Sequence, residues 1–295
     1  MKGAKVKLAC VESDGLLRVV LVLENELVDM TAQLGVESAD LLKFLEMGPE
    51  ALVLAERCAN AAGPRLAKDS VRFRAPITAD KILGVGMNYH SFVAKARRLG
   101  VAVPTGRLWF YRARACITGP YDDVWLPRNA TDLDYEGELA IVIGRRCRYV
   151  SAAEAPAVLA GFTIANDLTL RQRAVESIVL GKSFDTHTPT GPCIGTPEEF
   201  LDPHNLEVRT WVNGELRQES NTADMIADCY ELIAEISSAC TLNPGDIILT
   251  GTPDGSGIFR RPPQSLAVGD TVRIAIEGIG EIENRVVHEP AGACF

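Results

Sequence analysis

The sequence predicts an α+β chain that is mainly β, led by a small α/β unit, and three observations carry that prediction. From Lys81 onward, short β-branched and aromatic runs alternate with Gly, Pro, Asn and Asp turn signals. Asn213-Gly214 stands between Val208–Val212 and Glu215–Gln218, the two-residue signature of a tight hairpin. The clearest helix, Ala223 to Cys240, carries Met225, Ile226, Cys229, Leu232, Ile233 and Ile236 on one stripe, which reads as core packing.

Taken in order, Lys5–Glu12, Leu16–Glu24 and Leu27–Met30 read as strands, with Ser13-Asp14-Gly15 as the first turn. Ala39–Met47 and Ala51–Ala61 read as helices, the second entered through Pro49 and broken at Ala62-Gly63-Pro64. The chain divides near residue 75, into a small N-terminal α/β domain (1–75) and a larger domain (76–295). No chemistry is visible in the first unit, whose expected role is support or dimer contact. Pro244-Gly245 turns the chain into a strand at Asp246–Thr250, and Thr271–Glu277 with Glu281–Val287 form a closing hairpin.

At 295 residues with 47% hydrophobic and 23% charged residues, the chain is long and apolar enough to bury a core. Its formal net charge of -9, with no basic arm, argues against nucleic acid. No apolar run reaches the ~20 residues that a membrane span needs. Met1 to Lys5 is basic, but Glu12, Ser13 and Asp14 break the next apolar stretch, so it does not read as a secretion signal. The eight cysteines, none in a C-x-x-C pair, are expected as buried thiols in a reducing cytoplasm.

The chemistry is concentrated in Asp134-Tyr135-Glu136-Gly137-Glu138, which runs into the apolar strand Leu139 to Ile143. On a strand Glu136 and Glu138 share a face, about 6.5–7 Å apart. Such a pair is neutralised by a cation, shares a proton, or forms an acidic strand edge in water. A third carboxylate, Asp167, ends the strand Gly161–Asn166, although Asn166-Asp167 also suits an ordinary Asx turn. Three carboxylates and waters make an octahedral oxygen site suited to Mg²⁺ or Mn²⁺.

The order Asp134-Tyr135-Glu136-x-Glu138, Asn166-Asp167-x-Thr169-x-Arg171, Gly181-Lys182-Ser183-Phe184-Asp185 and Thr250-Gly251-Thr252-Pro253 resembles the fumarylacetoacetate hydrolase family. Val212-Asn213-Gly214-Glu215, Asn221-Thr222-x-x-Met225-Ile226 and Leu242-x-Pro244-Gly245-Asp246 extend the likeness across residues 80 to 290. The resemblance implies a mixed β-sandwich roll and a homodimer. It implies a metal held by Glu136, Glu138 and Asp167, and Lys182 as the active-site lysine that stabilises an enolate. It further implies that Thr252, with the backbone beside Gly251, binds the carboxylate of a small anionic substrate. Arg171 is open to either substrate contact or pairing with a carboxylate, and Asp134 could support the glutamates. Tyr89, Phe92, Phe110 and Tyr111 are candidates to line an apolar pocket or to be plain core. Arg112 and Arg114 are possible anion contacts.

Family hydrolases follow Gly-x-Asn-Tyr with a His and, three residues later, a Glu. Here Phe92 and Lys95 occupy those places, and His90 comes two residues early. In a helix two residues is about 200° of rotation, so His90 reaches the site only if the turn is irregular. The family's glutamine seven residues after the Asp is Ala174. The locally basic stretch Phe92 to Arg107, with Lys95, Arg97, Arg98 and Arg107, is a candidate lid or a solvated helix face. The sequence supports three readings. The first is a metal-dependent enzyme acting on a 2-oxo acid or β-dicarbonyl through an enolate, with C–C hydrolysis as the leading reaction. The second is a decarboxylase, isomerase, hydratase, dehydratase or cyclase on the same scaffold. The third is a non-catalytic ligand-binding homologue.

Overall fold

The computed structural model describes residues 5–34, 41–60 and 63–291. Strands dominate, and most of them join one mixed sheet of twelve. From edge to edge its main path runs Arg65–Leu66, Leu27–Asp29, Leu16–Val22, Lys7–Ser13, Thr188–Gly195, Leu159–Asn166, Gly137–Ile143, Ile247–Leu249, Ile82–Gly86 and Leu108–Arg112. A five-stranded sheet is ordered Glu215–Asn221, Glu207–Val212, Thr271–Ile276, Gly280–His288 and Val124–Leu126. A short two-stranded ladder pairs Leu133–Asp134 with Thr169–Leu170.

The central Gly137–Ile143 strand explains why its sequence is apolar without alternation. Leu139, Ile141 and Ile143 join a core with Val208, Ile274 and Ile282 of the five-stranded sheet. Ala140 and Val142 face the other way, into a core with Val19, Leu21, Leu41, Phe44 and Ile247. A strand covered on both faces reads as a continuous hydrophobic run. The hairpin turns expected at Ser13-Asp14-Gly15 and Asn213-Gly214 are present, with positive φ at Asp14 (53°) and Gly15 (73°) and at Asn213 (52°) and Gly214 (78°), and the closing hairpin pairs Thr271–Ile276 with Gly280–His288.

The expected strands Lys5–Glu12, Leu16–Glu24 and Leu27–Met30 are found at Lys7–Ser13, Leu16–Val22 and Leu27–Asp29. The two expected helices occupy Leu41–Glu46 and Pro49–Asn60. Residues 39, 40, 61 and 62 of those expectations, like Met1 to Ala4 and Cys294, lie outside the described residues. The boundary near residue 75 is not a break in hydrogen bonding. Lys7 and Leu8 pair with Gly195 and Ile194, so the N-terminal strands continue the large sheet. Among the described residues the cysteines form no disulfide, and Cys58, Cys116, Cys193 and Cys229 are buried.

The helix expected over Ala223–Cys240 needs correction. A 3₁₀ turn at Thr222–Asp224 gives way to extended Met225, and the α-helix spans only Cys229–Ala239. Asp228 caps it: its carboxylate accepts the Tyr230 and Glu231 N–H groups at 2.8 Å, while Glu231 accepts the Asp228 N–H at 3.0 Å. This reciprocal capping box starts the helix later than its apolar period suggests. Met225 instead bridges to Tyr89, and the Ile226 N–H donates to the Asn88 carbonyl at 2.7 Å.

Candidate metal centre and its surroundings

Local backbone bonds place the three carboxylates. Gly137, between the two glutamates, pairs in register with Asn166. A Cβ at Gly137 would run into Thr210 Oγ1 of the five-stranded sheet, so the residue between the glutamates must be small. Asn166 is structural: its side-chain oxygen accepts the Glu136 N–H at 3.1 Å, and the Asp167 N–H donates to the Glu136 carbonyl at 2.8 Å. These bonds set Asp167 beside the glutamates. Ligand oxygens of Glu136, Glu138 and Asp167 lie within 4.8 Å of one another, and all three residues are buried.

Three cations enter the same cluster. Lys182 Nζ contacts Glu136 Oε2 at 2.7 Å and Asp167 Oδ2, and donates to Thr169 Oγ1 at 2.9 Å. Arg171 bridges Glu136 Oε1 at 2.6 Å and Asp134 Oδ2 at 2.7 Å. Fully buried Arg112 pairs with Asp167 Oδ1 and donates to the His187 carbonyl at 2.7 Å. Four carboxylates (Asp134, Glu136, Glu138, Asp167) thus meet three cations (Arg112, Arg171, Lys182), and one negative charge is left over. Glu138 is the one without an ion pair among the described residues.

The acidities follow that imbalance. Burial pushes the Glu136 carboxyl up, but Lys182 and Arg171 outweigh it and hold it down at about 2. Burial, and then the charge of Glu136, push the Glu138 carboxyl well above the usual carboxylate range. Burial lowers the Lys182 ammonium, with Arg112 and Arg171 adding to the effect against the opposing charge of Glu136. Buried carboxylates of this kind are stable when a cation compensates them. Three hard oxygen donors with one uncompensated charge fit a divalent ion.

The other candidates fall into place unequally. The Gly251 N–H donates to Glu138 Oε2 at 2.8 Å, so Gly251, at φ 94°, positions a carboxylate. The single proton of the Thr252 hydroxyl goes to the Gly137 carbonyl at 3.0 Å, and its oxygen accepts Gln218 Nε2 at 2.8 Å. That hydroxyl therefore ties strand to loop and presents no free donor to a substrate. Arg171 takes the ion-pairing alternative left open by its sequence. Tyr89 is fully buried at the start of the His90–Arg98 helix. His90 begins that helix with its side chain exposed, and is not brought to the carboxylates. The helix instead turns Phe92 inward, onto Phe259 at a centroid distance of 4.8 Å. Lys95 lies 3.8 Å from Asp254. Arg107 pairs with Glu235, and Arg114 with Asp80 at the surface.

Asn88 escaped the sequence reading, and Asp134, expected to support the glutamates, reaches further than that reading foresaw. Asn88 Nδ2 donates to the Ala227 and Thr250 carbonyls, and its Oδ1 accepts the Ala227 N–H. It staples the Gly86-Met87-Asn88-Tyr89 elbow to two loops, and Met87 there has φ 58°. Asp134 accepts the Gly257 N–H at 2.7 Å and the Ile258 N–H at 3.2 Å, joining the segment that carries Phe259 to Arg171. Neither contact has a local signal, since their partners lie over a hundred residues away.

A mostly β scaffold gathers three buried carboxylates around a lysine, an oxygen-donor cluster that could hold a metal ion. The fumarylacetoacetate (FAA) hydrolase C-terminal family matches residues 81–287, and the chain belongs to this family. It is 44% identical over 252 residues to a mitochondrial oxaloacetate tautomerase, FAHD2B, of Bos taurus, covering 84% of this chain and 79% of that protein. Among solved structures it resembles a fumarylacetoacetate hydrolase from psychrophilic Exiguobacterium antarcticum, with 35% identity and a TM-score of 0.84 over 96% of this chain and 100% of that one. It also resembles a maleylpyruvate hydrolase from Sphingobium sp. SYK-6 in complex with manganese(II) and pyruvate, with 31% identity and a TM-score of 0.82 over the same shares.

Proposed function

We propose that this chain is a divalent-metal-dependent keto–enol tautomerase of a short 2-oxo dicarboxylic acid of the oxaloacetate kind. The observation that carries the reading is Phe92. It is buried against Phe259 where family hydrolases place the histidine that activates water, while the carboxylates and Lys182 are all present. Enolate chemistry without an activated water ends in proton return instead of bond cleavage. The likeness to an oxaloacetate tautomerase supports this choice over C–C hydrolysis, the reaction that the motifs alone put first.

Glu136, Glu138 and Asp167 would hold Mg²⁺ or Mn²⁺, whose chemistry is to polarise a 2-oxo acid that chelates it. Lys182 Nζ is the group placed to carry a proton between carbon 3 and the 2-oxygen, because burial makes its ammonium readier to release one. Phe92, Phe259 and Tyr89 keep the apolar side dry, which protects the enol from competing reactions. We place the chain in the cytoplasm as a homodimer; light scattering after size exclusion tests the assembly.

The functional test follows the keto–enol equilibration of oxaloacetate by ultraviolet absorbance, with mass spectrometry of the products, on protein loaded with Mg²⁺ or Mn²⁺. Equilibration well above the spontaneous rate at unchanged mass is expected. Two acid fragments from an acylpyruvate, formed faster than any tautomerisation, would replace this reading with hydrolysis, the activity named for both solved structures above.

A further inference from the structure

The two oxygens of each clustered carboxylate have different partners. Glu136 Oε1 takes Arg171 at 2.6 Å, Asp167 Oδ1 takes Arg112, and Glu138 Oε2 takes the Gly251 N–H at 2.8 Å. Each ligand candidate therefore has one oxygen tied to a fixed protein donor. Of the remaining oxygens, Glu136 Oε2 and Asp167 Oδ2 are bridged by the single ammonium of Lys182. Its third N–H goes to Thr169 Oγ1, so Lys182 is fully engaged in a buried position.

We propose that Lys182 is the counter-ion of the metal-free site, and that a divalent cation competes with it for Glu136 Oε2 and Asp167 Oδ2. The argument rests on the metal-site reading above. A cation drawing on all three carboxylates needs the oxygens that the arginines and Gly251 leave over, and Lys182 already spans two of them. An ammonium and a metal ion sharing those oxygens in a buried site repel strongly. Lys182 keeps a partner when it yields those oxygens: its Nζ already lies 4.8 Å from the centroid of the Phe110 ring, an aromatic face that holds a cation. The amine is thus released toward substrate only after metal has bound, which orders the assembly of the site as metal first, then lysine, then oxo acid.

The test titrates Mn²⁺ into chelator-treated protein and reads free Mn²⁺ by electron paramagnetic resonance, for the wild type, Lys182→Met and Lys182→Arg. Competition predicts that Lys182→Met binds Mn²⁺ at least about tenfold tighter than the wild type, and that Lys182→Arg does not. It also predicts that Mn²⁺ raises the thermal midpoint of Lys182→Met by more than that of the wild type. A variant that folds only with Mn²⁺ present is measured in reverse, by chelator competition. Equal or weaker binding by Lys182→Met, beside a wild type that binds, overturns the competition and leaves the metal site standing. A wild type that binds no Mn²⁺ overturns the metal-site reading itself.

Discussion

The site has two walls of opposite character. One is the cluster of Glu136, Glu138 and Asp167 with Lys182, Arg112 and Arg171, where Glu136 and Asp167 are ion-paired through both oxygens. The other is the inner face of the His90–Arg98 helix, where Phe92 packs on Phe259 and the buried Tyr89 caps the helix start. The first wall carries the carboxylates and lysine of the family motifs; the second has an aromatic contact where the resemblance implies a histidine. On the proposed reading, polarising a substrate and activating water are separable functions, built on separate elements.

Breaking the charged wall has the largest expected effect. Glu138→Ala is expected to lower turnover about a thousandfold or more, through loss of a carboxylate that would hold the electrophilic metal. Steady-state rates at saturating Mn²⁺ check this, and activity within about tenfold of the wild type would show that Glu138 is no ligand. Breaking the apolar wall costs stability first. Phe92→Ala removes a buried ring and is expected to destabilise the chain by about 3–4 kcal/mol in urea unfolding. A loss below about 1 kcal/mol would mean that Phe92 does not pack as described.

Acid probes the floor beneath the charged wall. Burial holds the His187 imidazole down at about 4, against an ordinary 6.5. The unfolded chain therefore takes up its proton first as pH falls. The stability that neutral His187 contributes is complete above pH 6.5 and is lost between 6.5 and about 4. That loss is about 3 kcal/mol over the window. Urea unfolding at several pH values should show the decline in the wild type and a shallower one in His187→Gln; parallel curves would remove His187 as its source.

Converting one wall into the other sharpens the contrast. Phe92→His combined with Lys95→Glu restores the hydrolase pattern, and cleavage of an acylpyruvate is expected to rise about a hundredfold, the scale of a positioned general base. No gain, with folding intact, would place the loss of water activation elsewhere. The smallest effect is structural. Asp228→Ala removes the cap of the helix behind the Met225–Ala227 loop and is expected to cost about 1 kcal/mol of stability with little change in rate. A large fall in rate would tie that loop to the chemistry.

The charged wall was legible as a set of motifs: the residues alone left the glutamate pair open between a cation and a surface edge, and the family resemblance singled out Glu136, Glu138, Asp167 and Lys182. Strand alternation does not supply the geometry, because Glu136 lies between the strands Leu133–Asp134 and Gly137–Ile143, and bonds from Asn166 and Asp167 bring the third carboxylate to it. The departure at Phe92 was legible only against the family pattern, and the orientation of His90 followed once the segment is helical. The clamps were not. Arg112 on Asp167, Asn88 on Ala227 and Thr250, and Asp134 on Gly257 join residues far apart in sequence, and a pattern of neighbours does not encode such pairs. The late helix start was a different kind of miss. Asp228 and Glu231 spell a capping box, but the apolar period through Met225 and Ile226 overran it.

The pairing of Lys7 and Leu8 with Gly195 and Ile194 bears on modularity. Two strands lie between that N-terminal strand and the Gly137–Ile143 strand, and Ala140, Val142, Ile194 and Ile247 share a core with Val19, Leu21, Leu41 and Phe44. A chain cut after residue 75 would bare both a raw sheet edge and that apolar face, an invitation to stick to its own kind. The leading unit is no detachable accessory that recombination could exchange freely. It is the flank of the large sheet, joined to it by strand pairing and a shared core.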